Sequence, residues 1–345
     1  LPGLSFTHNF YINEIKDFYN YRVYSSSPKN KFTINQNGTY HFTPMPLKIL
    51  SRLTKFPYPI NFKSLDLNIY NYLTSKIVRK TDIYHCNSCF AHGVFFSKYS
   101  ENSLKIVEEQ NSHISYCNSI LGKEFLKYNM KLIKDPKIEK KRLEEYDRAD
   151  IILVPSDYSL KSFEAMGVDK KKLFKNMLIN SKYLTNIKKK PKIEQKIVYG
   201  YIGGNIITKG LIYLLKSLSK LNKKYELHMT VTHNHIKKFD FLKDYLNSNI
   251  KNLGSFSNMD NFYNNIDVLV VPSINDGFSM VVIEALSRSI PVIVSDNVGA
   301  SEYISKEFGY KFKAANQQEL DYIINEEITS QKISELNISI FNNFY

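Results

Sequence analysis

Two carboxylates eight positions apart, Asp276 and Glu284, and one lysine, Lys209, are the residues of this 345-residue chain whose setting suggests chemistry. The acids lie in the run Val271-Pro272-Ser273-Ile274-Asn275-Asp276-Gly277-Phe278-Ser279-Met280-Val281-Val282-Ile283-Glu284-Ala285-Leu286. A buried strand should end at Pro272, a loop carrying acid and glycine follows, and a helix should open near Ser279. Unpaired backbone N–H groups at such a helix start favour an anion. Both carboxylates can face a ligand docked there, one accepting sugar hydroxyls and the other a ribose diol. Lys209 belongs to a second run, Val198-Tyr199-Gly200-Tyr201-Ile202-Gly203-Gly204-Asn205-Ile206-Ile207-Thr208-Lys209-Gly210, where a strand meets a glycine pair and lysine precedes a helix. Those glycines let backbone approach a ligand, and the ammonium adds positive charge. The spacing fits neither a P-loop nor a dinucleotide fingerprint. Taken singly, Asp276 is a good N-cap, Glu284 an ordinary helix residue and Lys209 a solvated loop residue.

The elements that must position these residues are short, β-branched and followed by turn chemistry: Ile151–Val154, Ile197–Ile202, Val268–Val271 and Pro291–Val294. Apolar runs without polar alternation suit strands buried on both faces of a parallel sheet. Helical stretches fall between them at Tyr158–Met166, Gly210–Leu221, Asp260–Asn265 and Met280–Ser289. The fold class is therefore α/β, doubly wound. Upstream, Asn9–Phe18 reads as a helix, and Arg22–Tyr24, Asp82–His85 and Ile114–Cys117 read as strands. The charged, proline-bearing run Lys188-Lys189-Lys190-Pro191 reads as a linker. The expected domains are residues 1–185, a linker at 186–195, a second domain at 196–330 and a helical tail at 331–345. Two such domains should face a cleft at the carboxyl ends of both sheets.

The chain carries 47 Lys and Arg against 33 Asp and Glu, a formal charge of +14, of which +10 falls within residues 1–180. That excess favours an anionic partner. Lysines outnumber arginines 41 to 6, which argues against a sequence-specific nucleic-acid reader and leaves contact with an anionic membrane surface. Three cysteines make no disulfide framework, and no leader-like segment is visible, so a cytoplasmic setting is expected, with no span of the bilayer. The chain opens at Leu1 without Met, and the Leu1–Phe6 segment is short for an opening strand; a trimmed terminus is the expectation.

Together the two runs, followed by Pro291-Val292-Ile293-Val294-Ser295-Asp296-Asn297-Val298-Gly299-Ala300-Ser301-Glu302, resemble the donor half of retaining GT-B glycosyltransferases of the group 1, or family 4, type. The resemblance runs from about Lys196 to Ile304 and includes Arg148-Ala149-Asp150 through Gly167, which looks like the last strand and helix of that family's first domain; residues 1–147 match in outline. It implies two Rossmann-like domains about a central cleft and metal-independent transfer of a sugar from a nucleoside diphosphate to an acceptor hydroxyl, with the anomeric configuration retained. Asp276 would contact sugar hydroxyls, Glu284 the ribose, and the N–H groups of Gly277, Phe278, Ser279 and Met280 the sugar and diphosphate. Gly203, Gly204 and Lys209 would complete the donor site, with Ser255 near the nucleobase. Two departures stand out: Asp276 occupies a position usually held by Glu, and Gly204 one that is often Arg, five residues before Lys209. Lys209 would then carry most of the diphosphate charge. No Asp-X-Asp triplet occurs to hold a metal, so fixed positive charge must serve.

Gly3 and His92 are the candidates on the acceptor side; His92 is also the catalytic candidate of the first domain. Members of this family often carry a His after a first-domain strand, whereas Ile114–Cys117 leads here to Asn118-Ser119, with His113 at the other end. Zinc at His85, Cys86, Cys89, His92 and Cys117 is disfavoured because a second thiol pair is missing, so these read as polar residues near the acceptor. His233 and His235 read as loop polar groups. The acceptor is expected to be a glycan or lipid-linked molecule of cell-surface polysaccharide or glycolipid assembly. The competing reading is a catalytically silent GT-B-fold protein that binds a nucleotide sugar or glycan. An epimerase or phosphorylase of related fold is a third.

Overall fold

The computed structural model describes Tyr21–Ser25, Gly38–Phe42 and residues 60–176, 196–231, 236, 239–254 and 259–344. In chain order its strands and helices are β1 (Tyr21–Ser25), β2 (Gly38–Phe42), α1 (Ile60–Ile77), β3 (Ile83–Asn87), α2 (His92–Phe95), β4 (Leu104–Glu108), α3 (Ile114–Leu126), α4 (Pro136–Arg148), β5 (Ile151–Val154), α5 (Asp157–Ala165) and β6 (Leu173–Lys175). They continue as β7 (Ile197–Ile202), α6 (Leu211–Ser219), β8 (Tyr225–Thr230), β9 (Ile250–Asn252), α7 (Met259–Asn264), β10 (Val268–Val271), α8 (Met280–Leu286), β11 (Val292–Ser295), β12 (Gly309–Phe312), α9 (Gln317–Tyr322) and α10 (Ser330–Phe344).

The chain divides into two compact units. Residues 1–110, 133–153 and 168–174 form the first; 111–132, 154–167 and 175–345 form the second. The strands form a four-stranded sheet in the order β3-β4-β5-β6, a β1-β2 pair, and a six-stranded sheet in the order β12-β11-β10-β7-β8-β9. The pairs β3 with β4, β4 with β5, and every pair of the six-stranded sheet are parallel. In the six-stranded sheet the chain starts at β7, adds strands on one side, then jumps back to add β10 on the other. That reversal makes a switch point between β7 and β10, whose carboxyl ends are the usual ligand position in open α/β sheets.

The second unit's core explains its strand sequences. Val268 and Val270 of β10 pack into one apolar cluster with Tyr199, Leu214 and Leu227, while Leu269 and Val271 pack into another with Val282, Val292 and Val294. All four β10 residues are buried, as are all four of β11, so neither strand can alternate with polar residues. Gly200 lies against Ile266, whose Cδ1 would stand 2.4 Å from an added Cβ.

One expected strand is a helix. Residues Ile114–Leu126 form α3, capped by His113, whose Nδ1 accepts from the backbone N–H of Ser115 at 3.2 Å. The β-branched Ile114 suggested a strand, but Cys117 and Leu121 are buried and Ile120 and Phe125 pack beside them, a three-and-four spacing that belongs to a helix. The strand ahead of it is β4, which the sequence reading missed, and His113 follows β4 as a helix cap. The expected helix Asn9–Phe18 and the linker 186–195 lie outside the described residues.

Gly210 joins β7's loop to α6 with φ +66°, and a Cβ there would lie 1.9 Å from the carbonyl oxygen of Pro272. Both the left-handed backbone and the close approach exclude a side chain. Gly210→Ala is expected to destabilise the second unit, the backbone alone costing roughly 1–3 kcal/mol, read as a lower midpoint in thermal unfolding followed by circular dichroism.

Candidate functional site

Two loops leave the carboxyl ends of the paired strands β7 and β10, and their charged side chains meet. The Lys209 ammonium forms an ion pair with Asp276 Oδ2. Local structure aims the lysine: its N–H donates to the Asn205 carbonyl at 2.8 Å, and the Thr208 N–H donates to Asn205 Oδ1 at 3.1 Å. Gly203 lies beneath its stem, so that an added Cβ would stand 3.0 Å from Lys209 Cβ and 2.8 Å from the Tyr201 hydroxyl. Nothing lies within 4 Å of a Cβ at Gly204, so that position opens into free space. The pair is partly exposed, 31% for Lys209 and 14% for Asp276, so water or a ligand reaches it.

The acidic loop is held from three directions. On one side Asp276 N–H donates to the Asn297 carbonyl at 3.0 Å, Gly299 N–H to the Asp276 carbonyl at 3.0 Å, and Ala300 N–H to the Phe278 carbonyl at 2.8 Å. On another, Ile274 N–H donates to the Thr208 carbonyl at 2.8 Å, tying the acidic loop to the lysine loop. Beneath, the hydroxyls of Ser156 and Ser159 donate to the Gly277 carbonyl at 2.6 and 3.2 Å. Ser156 also caps α5, its Oγ accepting from Ser159 N–H at 3.1 Å. Gly299 passes so close that a Cβ would lie 2.0 Å from the Gly277 carbonyl oxygen.

Phe278 turns its ring into the core and meets Tyr303 edge-on at 6.1 Å, so only its backbone is available to a ligand. Ser279 opens α8 with φ +69° and ψ 79° and gives no side-chain cap. A non-glycine residue in this region carries strain that its surroundings must hold. The helix is shorter than the expected Met280–Ser289, ending at Leu286. Glu284 lies on α8 and accepts from the Tyr263 hydroxyl at 2.7 Å. Arg288 stacks over the Tyr263 ring at 4.8 Å and bonds Asp260 at 2.6 Å. Burial, then the Glu284 carboxylate, push the Tyr263 hydroxyl well above its ordinary pKa, so it stays a donor.

The structure thus joins Lys209, Asp276 and Gly203, with Gly277, Phe278, Ser279 and Met280 continuing the acidic loop into α8, and anchors Glu284 on α7. Sequence reasoning missed the supports Ser156, Asn275 and Tyr263. Pro155-Ser156 ahead of an apolar helix was a legible cap signal; Asn275 and Tyr263 carried none. Gly3, Ser255, His233 and His235 lie outside the described residues.

His92 opens α2 in the first unit. Its Nε2 lies 3.0 Å from Glu144 Oε2, its ring stacks on Phe96 at 4.5 Å, and burial lowers its pKa against the raising bond to Glu144. The loop before it hangs on Glu145, which is fully buried and accepts from Cys89 N–H at 2.7 Å and His92 N–H at 2.8 Å. Arg142 pairs with Glu109 nearby and donates to Ser88 Oγ at 3.0 Å. His85 lies 3.2 Å from Glu108. Among the described residues, no three His, Cys, Asp or Glu side chains gather as a metal site, and no helix is long and apolar enough to cross a membrane.

Parallel α/β units, the second built around a switch point with a lysine loop and an acidic loop, define the GT-B class of folds. Anabaena HepE, solved with UDP and glucose, shares this fold with a TM-score of 0.62 at 13% identity over 94% of this chain and 93% of HepE. Residues 184–338 match the family described as Glycosyl transferases group 1. Two Staphylococcus aureus proteins are similar. Protein CapJ is 28% identical over 213 residues, 54% of this chain and 53% of CapJ. The capsular polysaccharide biosynthesis glycosyltransferase CapM is 30% identical over 153 residues, 41% of this chain and 40% of CapM. The chain therefore spans about half the length of the curated relatives it matches.

Burial raises the Glu145 pKa from 4.5 to about 7, against the lowering bonds from Cys89 and His92. The fold binds this proton more tightly than the unfolded chain does, so stability from it is full below pH 4.5 and is lost as pH rises towards 7. The wild-type thermal midpoint is expected to fall between pH 5 and 7 relative to that of Glu145→Gln, with the difference level above about pH 7, in a pH series of melting curves.

Proposed function

We propose that this chain is a retaining, metal-independent glycosyltransferase that moves a sugar from a nucleoside-diphosphate donor to an acceptor hydroxyl in cell-surface polysaccharide or glycolipid assembly. The observation that carries the reading is the Lys209–Asp276 pair at the carboxyl ends of β7 and β10, inside the segment that matches the group 1 glycosyl transferases. A diphosphate arriving at this place competes with Asp276 for the ammonium. The carboxylate is then released to accept sugar hydroxyls, while Glu284, steadied by Tyr263, takes the ribose. Lys209 and the backbone N–H groups at the start of α8 stabilise charge growing on the leaving phosphate. The acceptor attacks from the leaving-group face, and the departing phosphate takes its proton, so configuration is retained without a protein nucleophile. His92 and Gly3 are assigned to the acceptor side.

The donor base is taken as uracil, since HepE of the same fold was solved with UDP, and the polysaccharide setting draws on the name of CapM. The charge of +14 suits work at the anionic inner face of a membrane, from the cytoplasm. The test is a thermal-shift panel of UDP-, GDP- and ADP-sugars with and without EDTA, followed by turnover with the best donor. One donor class is expected to raise the midpoint equally in chelator, with slow sugar release to water or acceptor. Stabilisation that vanishes in EDTA overturns metal independence, and binding without any turnover supports a silent nucleotide-sugar binder.

Lys209→Ala is expected to weaken UDP binding about 10- to 100-fold by titration calorimetry, the worth of a charge-assisted phosphate contact. Gly204→Arg, which enters open space, is expected to leave the thermal midpoint unchanged and to tighten UDP binding about three- to tenfold, with the gain lost at high salt.

A further inference from the structure

Asn275 stands beside Asp276 and is 1% exposed. Its side chain is saturated. Oδ1 accepts from the Ser112 hydroxyl at 2.7 Å and the Tyr158 hydroxyl at 2.7 Å. Nδ2 donates to Asn111 Oδ1 at 2.9 Å and to Cys117 Sγ at 3.3 Å. All four partners come from segments more than a hundred positions earlier that belong to the same compact unit, the start of α3 and the first turn of α5. The two segments are themselves joined, His113 N–H donating to Ser162 Oγ at 2.8 Å. On the far side of Asp276, Gly277 rests its carbonyl on Ser156 and Ser159 of the same α5 region. The carboxylate that meets Lys209 is therefore clamped on both sides to one buried frame.

We propose that Asn275 is the positioning residue of the acidic loop, fixing the Asp276 carboxylate for the sugar of the donor by bonding the loop to the starts of α3 and α5. The inference rests on the nucleotide-sugar reading of this loop. Its physical ground is that a fully satisfied buried amide specifies one geometry, which an apolar side chain of similar size cannot do. Two donors and two acceptors must all be met, so a shift of the loop by one residue breaks all four bonds at once. Orientation set before binding need not be bought from the ligand.

The test compares wild type, Asn275→Ala and Tyr158→Phe, the last removing one of the four bonds. Two readouts are taken: the ratio of the affinities for the best UDP-sugar and for UDP, by calorimetry, and hydrogen exchange of residues 272–280 without ligand. A role in mere folding lowers the thermal midpoint and leaves the ratio alone. The inference expects the UDP-sugar preference to fall about tenfold in Asn275→Ala and about threefold in Tyr158→Phe, with UDP affinity itself changing less. Exchange in 272–280 should rise in both, while that of β7 and β8 stays slow. If Asn275→Ala does not fold, Tyr158→Phe decides. An unchanged ratio and unchanged exchange in a folded variant overturn the inference. Absence of nucleotide binding by the wild type instead overturns the functional reading, and the exchange data then judge the clamp alone.

Discussion

The arrangement depends on a charge pair made across a reversal in strand order. Lys209 follows β7 and Asp276 follows β10, and they meet only because β10 is laid down beside β7 after the chain has finished with β8 and β9 on the other side. Two half-buried opposite charges hold each other at modest net gain, since desolvation offsets much of the attraction. Their worth lies in leaving a cation and an anion poised at one spot, each able to exchange its partner for a ligand group. That poise needs two loops fixed to within a fraction of an ångström, and most of the surrounding structure serves that end.

The supports are chemically diverse because the loop has no secondary structure of its own to satisfy its backbone. Carbonyls and N–H groups of residues 274–278 find Thr208, Asn297, Gly299, Ala300, Ser156 and Ser159. Gly210 and Gly299 permit backbone contacts that any side chain would block. Ser279 accepts a left-handed conformation to turn the chain into α8, with no side-chain cap. In the first unit the same logic recurs in a different form, with buried Glu145 collecting the N–H groups of Cys89 and His92.

Much of this was legible in the sequence where one physical signal dominated. Three of the second unit's strands and four of its helices were visible as β-branched runs alternating with apolar helical stretches, because burial on both sheet faces leaves no room for ambiguity. The acidic loop and the lysine loop could be read as lying at strand ends, and the resemblance joined them. What escaped was of two kinds. Ile114–Cys117 is locally β-like, and only the packing of Leu121 and Phe125 further along reveals a helix. The partners of Asn275 and Glu284 are far away in the chain, so their bonds to Tyr158 and Tyr263 leave no trace in local composition. Contacts of that range are set by topology, which residue types alone do not encode.

The second unit also borrows α3 and α5 from the first half of the chain, with Cys117 and Leu121 packed among the residues of its larger core. The boundary of a compact body is therefore not the boundary of a continuous stretch of polypeptide. A fragment beginning at Lys196 would keep all six strands of its sheet yet bare an apolar face and strand the amide of Asn275 in water. For dissection of this protein by truncation, the severed half would answer as a sticky, misaligned remnant, and its silence would say nothing about the intact chain.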